Sequence, residues 1–308
     1  MTDLSGSMRR VEFPLSGGTM AGIAFGDASR APDLVFLHAT GFNALTYRTM
    51  LAPLGERFHV MAVDLRGHGR SRLPARRFGY ASWNRHRDDV IELLDNHLRA
   101  ALTLAGHSMG ATVGLLVAGA RPDLVRGLAL IDPVIMPPAR YALHAAPGMS
   151  LVSRYSFPIA RAAARRRSIF ESKEDAVRAL TGRGIFKSFS EAMLSDYVED
   201  GTAEGPDGKV QLTCAPAYEA ATFAAQRNDP WRALMNAHEP ILVLRAQHGS
   251  TCPPPCADRM TDLRPNVRVA TVEGATHALP MERPDRARAV IETAIIKSAP
   301  NNRFRDLV

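Results

Sequence analysis

The segment Gly106-His107-Ser108-Met109-Gly110 sets a serine between two glycines, each two residues away. A serine hydroxyl is a poor nucleophile at neutral pH, so its use requires an exposed position and a base to take its proton. The G-x-S-x-G spacing suits a sharp strand-to-helix turn, because glycines on either side let neighbouring backbone pass without a Cβ. The helix that follows such a turn aims backbone N–H groups at developing negative charge. His277, in Gly274-Ala-Thr-His277, is the candidate base. Together these residues could carry out acyl transfer, with Ser108 as nucleophile and His277 as general base.

The elements around the motif fit that use. Leu102-Thr-Leu-Ala105 reads as a strand entering the turn, and Ala111 to Ala120 as the helix leaving it. Similar short apolar runs recur at Leu34–His38, Val60–Asp64, Gly127–Asp132, Ile241–Leu244 and Val267–Val272. Runs with little alternation suit strands buried on both faces of a parallel sheet. Helical stretches alternate with them, including Asp88 to Leu98 and Asp285 to Lys297. The alternation predicts an α/β fold with a doubly wound, mostly parallel sheet. Residues 11–27 read as a preceding antiparallel hairpin turning at Ser16-Gly17-Gly18. From about Val134 to Leu234 the rhythm breaks into helix-like stretches, which predicts an inserted helical cap. The expected division is a core of residues 1–133 and 235–308 with a cap of residues 134–234.

On these motifs the chain resembles the α/β-hydrolase superfamily, specifically serine esterase-like members with a helical cap, over nearly its whole length. Four further segments carry the resemblance: His38-Ala39-Thr40-Gly41-Phe42, Asp64-Leu-Arg-Gly-His-Gly-Arg-Ser71, Asn228-Asp-Pro-Trp231, and the stretch from Gly274 to Pro284. The resemblance implies a triad in the order serine, acid, histidine. It also implies an oxyanion hole built from the backbone N–H of Met109 and, by match to the loop after the third strand, of Thr40. That loop carries Ala39 where the family has glycine. Phe42 and His107 are the candidate substrate-pocket residues, Phe42 as a floor and His107 packed beneath the turn. Asp64 is expected to bond nearby backbone, and His38 to bond its own loop.

The acid departs from the common pattern. It usually follows the seventh strand, but residues 246–255 contain no carboxylate. Some family members place it after the sixth strand, where Asp132 stands in Leu130-Ile-Asp132-Pro133. Asp132 is therefore the preferred acid, with Glu273, Asp258 or a dyad assisted by His248 as alternatives.

Composition bounds the rest. With 46% hydrophobic and 22% charged residues in 308, the chain can bury a sizeable core. No apolar run reaches the ~18–20 residues that span a bilayer. The amino terminus lacks a basic segment followed by an apolar one, so a soluble cytoplasmic protein is expected. The net charge is +7, but the arginines are spread along the chain and no nucleic-acid-binding motif accompanies them. The densest basic run, Arg161 with Arg165-Arg166-Arg167, reads as a solvated helix face or as a patch for anionic substrates or lipid. Cys214, Cys252 and Cys256 read as reduced thiols, since three cysteines make neither a disulfide framework nor a four-ligand zinc site. No metal or organic cofactor is implied.

A serine nucleophile argues against haloalkane dehalogenase and epoxide hydrolase chemistry, which uses an aspartate there. The expected activity is hydrolysis of a carboxylic ester or lactone in a small-molecule acyl substrate. The competing expectations are amide or C–C hydrolysis, a cofactor-free perhydrolase, and a non-catalytic binding module on the same fold. The tail after Pro300 is expected to be loosely held.

Overall fold

The computed structural model describes residues 8–76 and 78–299. Residues 1–7 and the tail after Pro300 lie outside the described residues. The centre of the molecule is an eight-stranded sheet. Its strands are β1 (Arg9–Leu15), β2 (Gly18–Phe25), β3 (Leu34–Leu37), β4 (Val60–Val63), β5 (Leu102–His107) and β6 (Val125–Ile131). After a long insertion come two more, Ile241–Ala246 and Val267–Val272. The spatial order is β1, β2, β4, β3, β5, β6, Ile241–Ala246, Val267–Val272. β1 and β2 form an antiparallel hairpin, and β2 meets β4 antiparallel. From β4 onward every pairing is parallel.

The parallel strands are buried on both faces because their residues alternate between two cores. Val35 and Leu37 of β3, Leu104 of β5, and Leu128 and Leu130 of β6 join one core, with Val113 and Leu116 of the helix Met109–Ala120. Leu34 and Phe36 of β3, Ala105 of β5, and Ala129 and Ile131 of β6 join the other, with Ile291 and Ile295 of the helix Pro284–Ser298. Period-two alternation is therefore present, but both phases are apolar, which is why the runs read as continuous.

Two expectations need correction. The helix predicted over Asp88 to Leu98 is an α-helix over Asn84–Leu93 followed by a π turn at Leu94–Leu98. Arg99 closes that turn in the left-handed region. The 134–234 segment is not purely helical. It contains a small antiparallel sheet of β7 (Ile169–Phe170), β8 (Thr202–Glu204) and β9 (Val210–Leu212), in the order β7, β9, β8. Strands of two or three residues are too short to leave a pattern in sequence. The segment closes at Asn228-Asp-Pro-Trp231: Asn228 Oδ1 accepts from the Trp83 N–H at 2.8 Å, Asp229 caps the helix Pro230–Asn236, and Trp231 Nε1 donates to the Met136 carbonyl at 2.8 Å. No helix among the described residues is long and apolar enough to cross a membrane.

Candidate active site

Ser108 stands between β5 and the helix Met109–Ala120 with φ 54° and ψ −118°. Only four non-glycine residues among those described have positive φ, and Ser108 and Asp132 are two of them. Such strain persists where surrounding structure enforces it and concentrates at functional sites. The flanking glycines show what enforces it at Ser108. A Cβ on Gly110 would lie 2.1 Å from the Leu37 carbonyl oxygen, and one on Gly106 would lie 2.5 Å from the Gly110 carbonyl carbon. The elbow thus rests directly on the backbone of β3, and any side chain at these two positions would push it off.

His277 lies in the loop after Val267–Val272. Its Nε2 is 2.9 Å from Ser108 Oγ, and its Nδ1 is 2.6 Å from Asp132 Oδ2. An ionised carboxylate only accepts, so the imidazole proton sits on Nδ1 and the Nε2 lone pair faces the serine hydroxyl. The imidazole is about a quarter exposed, and Asp132 is fully buried. Burial alone would push the Asp132 carboxyl up, but hydrogen bonds from His277, Ser250 and the Ala246 N–H outweigh it and hold the carboxyl below its usual range. Oδ1 accepts from Ala246 N at 2.9 Å and Ser250 Oγ at 2.5 Å, while Oδ2 also accepts from Thr251 N at 3.2 Å. The end of Ile241–Ala246 and the loop after it therefore supply donors to Asp132 and no carboxylate of their own. Glu273, Asp258 and His248, the alternative partners, are all exposed.

A second hydrogen-bonded chain runs beneath the first. The Ala39 N–H donates to Tyr47 Oη at 3.1 Å, and Tyr47 Oη donates to His107 Nδ1 at 2.8 Å. His107 Nε2 then donates to the His277 carbonyl oxygen at 2.8 Å. Burial, then the neighbouring His277, holds the His107 pKa down to about 3, so its ring stays neutral and its single proton stays on Nε2. His107 thus both lines the cavity and supports the loop that carries His277. Tyr47 has no local signal in the sequence, since it lies on a short 3-10 turn (Leu45–Tyr47) sixty residues from His107.

The two residues expected to supply oxyanion donors are neighbours across the elbow through their side chains: Thr40 Oγ1 is 3.2 Å from Met109 Sδ. The loop carrying Thr40 is held from below. His38 bonds the Ala39 carbonyl and the Leu65 N–H, and His68 Nε2 accepts from the Gly41 N–H at 3.0 Å. Asp64 accepts from the N–H groups of Ala44 and Arg70, both at 2.8 Å.

A cavity of about 410 Å3 opens onto Ser108 and His277. Phe42 and His107 line it, together with Ile159, Phe186 and Phe223 from the 134–234 segment. Phe42 also packs edge-on against Phe189 and Tyr197, so it serves pocket and core at once. Glu282 joins this segment to the base loop, accepting from Ser188 Oγ at 2.8 Å and from Thr276 N at 2.7 Å. A larger groove lined by Arg70, Glu171 and Asp200 does not include Ser108.

Comparison with known proteins places the fold in a family. A model described as "Alpha/beta hydrolase family" matches residues 34–290. The chain is 29% identical over 248 residues to 2-(acetamidomethylene)succinate hydrolase of Mesorhizobium japonicum, covering 80% of this chain and 81% of that protein. It is 33% identical over 129 residues to an esterase of Mycobacterium tuberculosis, covering 42% of this chain and 41% of the esterase. In structure it resembles the crystal structure of E-2-(acetamidomethylene)succinate hydrolase with a TM-score of 0.76 and 23% identity, over 94% of this chain and 99% of that one. The chain belongs to the alpha/beta hydrolase family.

Proposed function

We propose that this chain is a serine hydrolase that cleaves a carboxylic ester or lactone through an acyl-enzyme on Ser108. The observation that carries the proposal is the continuous hydrogen-bonded chain from Ser108 Oγ through His277 to Asp132, at 2.9 and 2.6 Å. His277 Nε2 takes the serine proton as Oγ attacks the substrate carbonyl. Asp132 holds the imidazole in the competent tautomer and stabilises its charged form. The N–H groups of Met109 and Thr40 receive the oxyanion, and His277 returns the proton to the leaving oxygen. Water, activated by the same imidazole, then releases the acid. Residues 134–234 act as a cap domain whose aromatic side chains bound the acyl pocket.

Amide hydrolysis is the second reading. It is favoured by the relative matched over most of both chains, whose named substrate carries an acetamido group. The same machinery serves both bonds, differing only in the leaving atom that His277 protonates.

The test is a panel of p-nitrophenyl esters of graded acyl length, with matched p-nitroanilides, assayed on wild type and Ser108→Ala. Turnover of esters by wild type and loss in the variant supports the first reading, and faster anilide cleavage the second. A fluorophosphonate that fails to label Ser108 in folded wild-type protein would overturn both.

A further inference from the structure

The basic run Arg161, Arg165–Arg167 does not act as one surface. Arg161 and Arg165 are exposed. Arg167 pairs with Asp175 at 2.5 Å and lies over the Phe170 ring. Arg166, just past the end of the helix Pro158–Arg165, turns inward and lines the Ser108 cavity. Its Nη1 donates to both carboxylate oxygens of Glu219, at 3.0 and 2.9 Å, and its Nη2 donates to Tyr197 Oη at 2.9 Å. A guanidinium has five N–H donors. Among the described residues, Nε–H and the second Nη2–H have no acceptor.

The remainder of this cavity is mostly apolar, with Phe42, Ile159, Ile185, Phe186 and Phe223 in its walls. A buried ion pair in such a setting is a weak source of stability, because desolvation offsets the attraction. An apolar contact would tie the same helices together as well. What the pair adds is a fixed, planar cation that is not fully covered: the Arg166 side chain keeps 19% of its surface, against 7% for Glu219. The pair also sits close to the chemistry. A Cβ on Gly41 would lie 2.3 Å from Glu219 Oε1, so Glu219 rests on the residue next to Thr40.

We propose that the acyl substrate bears a carboxylate, received by the free Nε–H and Nη2–H edge of Arg166. Glu219 and Tyr197 hold the guanidinium plane from the other side. Planar, paired donors are what a carboxylate matches best. The incoming anion lies nearer the guanidinium than the Glu219 carboxylate beyond it, so attraction outweighs repulsion. With Ser108 in the same cavity of about 410 Å3, the substrate class is a half-ester or half-amide of a short dicarboxylic acid. This inference rests on the serine hydrolase proposal for its catalytic half, and its test separates the two.

Wild type is assayed with p-nitrophenyl butyrate and with the mono-p-nitrophenyl ester of succinic acid, which differ chiefly by the terminal carboxylate. The expected preference in kcat/KM for the acidic ester is about 10- to 100-fold, the worth of charged hydrogen bonds. The preference should collapse to near unity in Arg166→Gln. It should collapse equally in the double variant Arg166→Gln/Glu219→Gln, which leaves no buried charge unpaired. Arg166→Lys should keep part of it. In parallel, glutarate and neutral glutaramide are titrated calorimetrically into Ser108→Ala with and without Arg166→Gln. Glutarate binding that depends on Arg166 supports the site without any turnover. Ester cleavage with no acidic preference, or a preference that survives Arg166→Gln, overturns this inference and leaves the hydrolase proposal standing. Arg166-dependent glutarate binding with no ester or anilide cleavage does the reverse.

Discussion

Asp132 Oδ2 lies 2.6 Å from His277 Nδ1, although 145 residues separate them in the chain. The contact joins the end of β6 to the loop after the last strand. It places a fully buried carboxylate behind the imidazole that faces Ser108. Asp132→Asn keeps the shape but offers an N–H where His277 needs an acceptor. The imidazole should then adopt the wrong tautomer, and kcat should fall by about 10^4. Circular dichroism should show an unchanged fold. Activity near wild type would remove Asp132 from the machinery.

Tyr47→Phe tests the lower chain. It removes the acceptor of the buried Ala39 N–H and the donor to His107 Nδ1. An unsatisfied buried N–H costs about 1–3 kcal/mol, so the urea midpoint should drop correspondingly. Freed of Tyr47, His107 can move its proton to Nδ1 and abandon the His277 carbonyl. We expect kcat to fall more than KM changes. An unchanged kcat would show that the prop under the base loop is dispensable.

Mild acid should destabilise the fold through its buried histidines. His38, His68, His86 and His107 are buried, and burial holds all four below the usual histidine range, His68 to about 4 and His107 to about 3. Below pH 6.5 the unfolded chain therefore binds protons that the native chain refuses, so unfolding free energy falls as pH falls. Each histidine loses on the order of 1 kcal/mol of stability between pH 7.5 and 5.5. Burial pushes the carboxyls of Asp64 to about 7 and Asp196 to about 6. Those two gain native protons over the same window and return part of that loss. The net expectation is lower stability at pH 5.5 than at pH 7.5, checked by urea titrations at the two pH values. Equal midpoints would contradict it.

Gly110→Ala should be far worse than a typical glycine substitution in a helix. Its Cβ would lie 2.1 Å from the Leu37 carbonyl oxygen, a backbone atom in the middle of the sheet. Overpacking of this kind costs about 1–3 kcal/mol or more. The elbow must also shift, so activity should fall further than the melting temperature alone explains. Wild-type activity in this variant would show that the elbow tolerates displacement.

The sequence made the parallel sheet legible because both phases of each central strand are apolar, as in Leu34 to Leu37 and Leu128 to Ile131. It made Ser108 and His277 conspicuous because their motifs are local. Asp132 was reachable by a local absence, since the loop after Ile241–Ala246 holds no carboxylate. What it hid are partnerships across distance. Ser250 donates to Asp132 from 118 residues away, and Tyr47 reaches His107 across sixty. The Arg run hinted at an anion site, but nothing local distinguishes the inward Arg166 from its exposed neighbours. β7, β8 and β9 were hidden for another reason: they are too short to show a period.

The Ser108 N–H donates to the Ile131 carbonyl at 2.9 Å, and the Asp132 N–H to the Leu244 carbonyl at 2.7 Å. Serine and aspartate therefore ride on neighbouring rungs of one hydrogen-bonded ladder, and only the imidazole comes from outside it. Their spacing is a property of the sheet rather than of any loop's preference. Such an assembly has no graded way to wear out. On heating, activity should persist at full strength until the sheet itself gives way, and then vanish over the same few degrees.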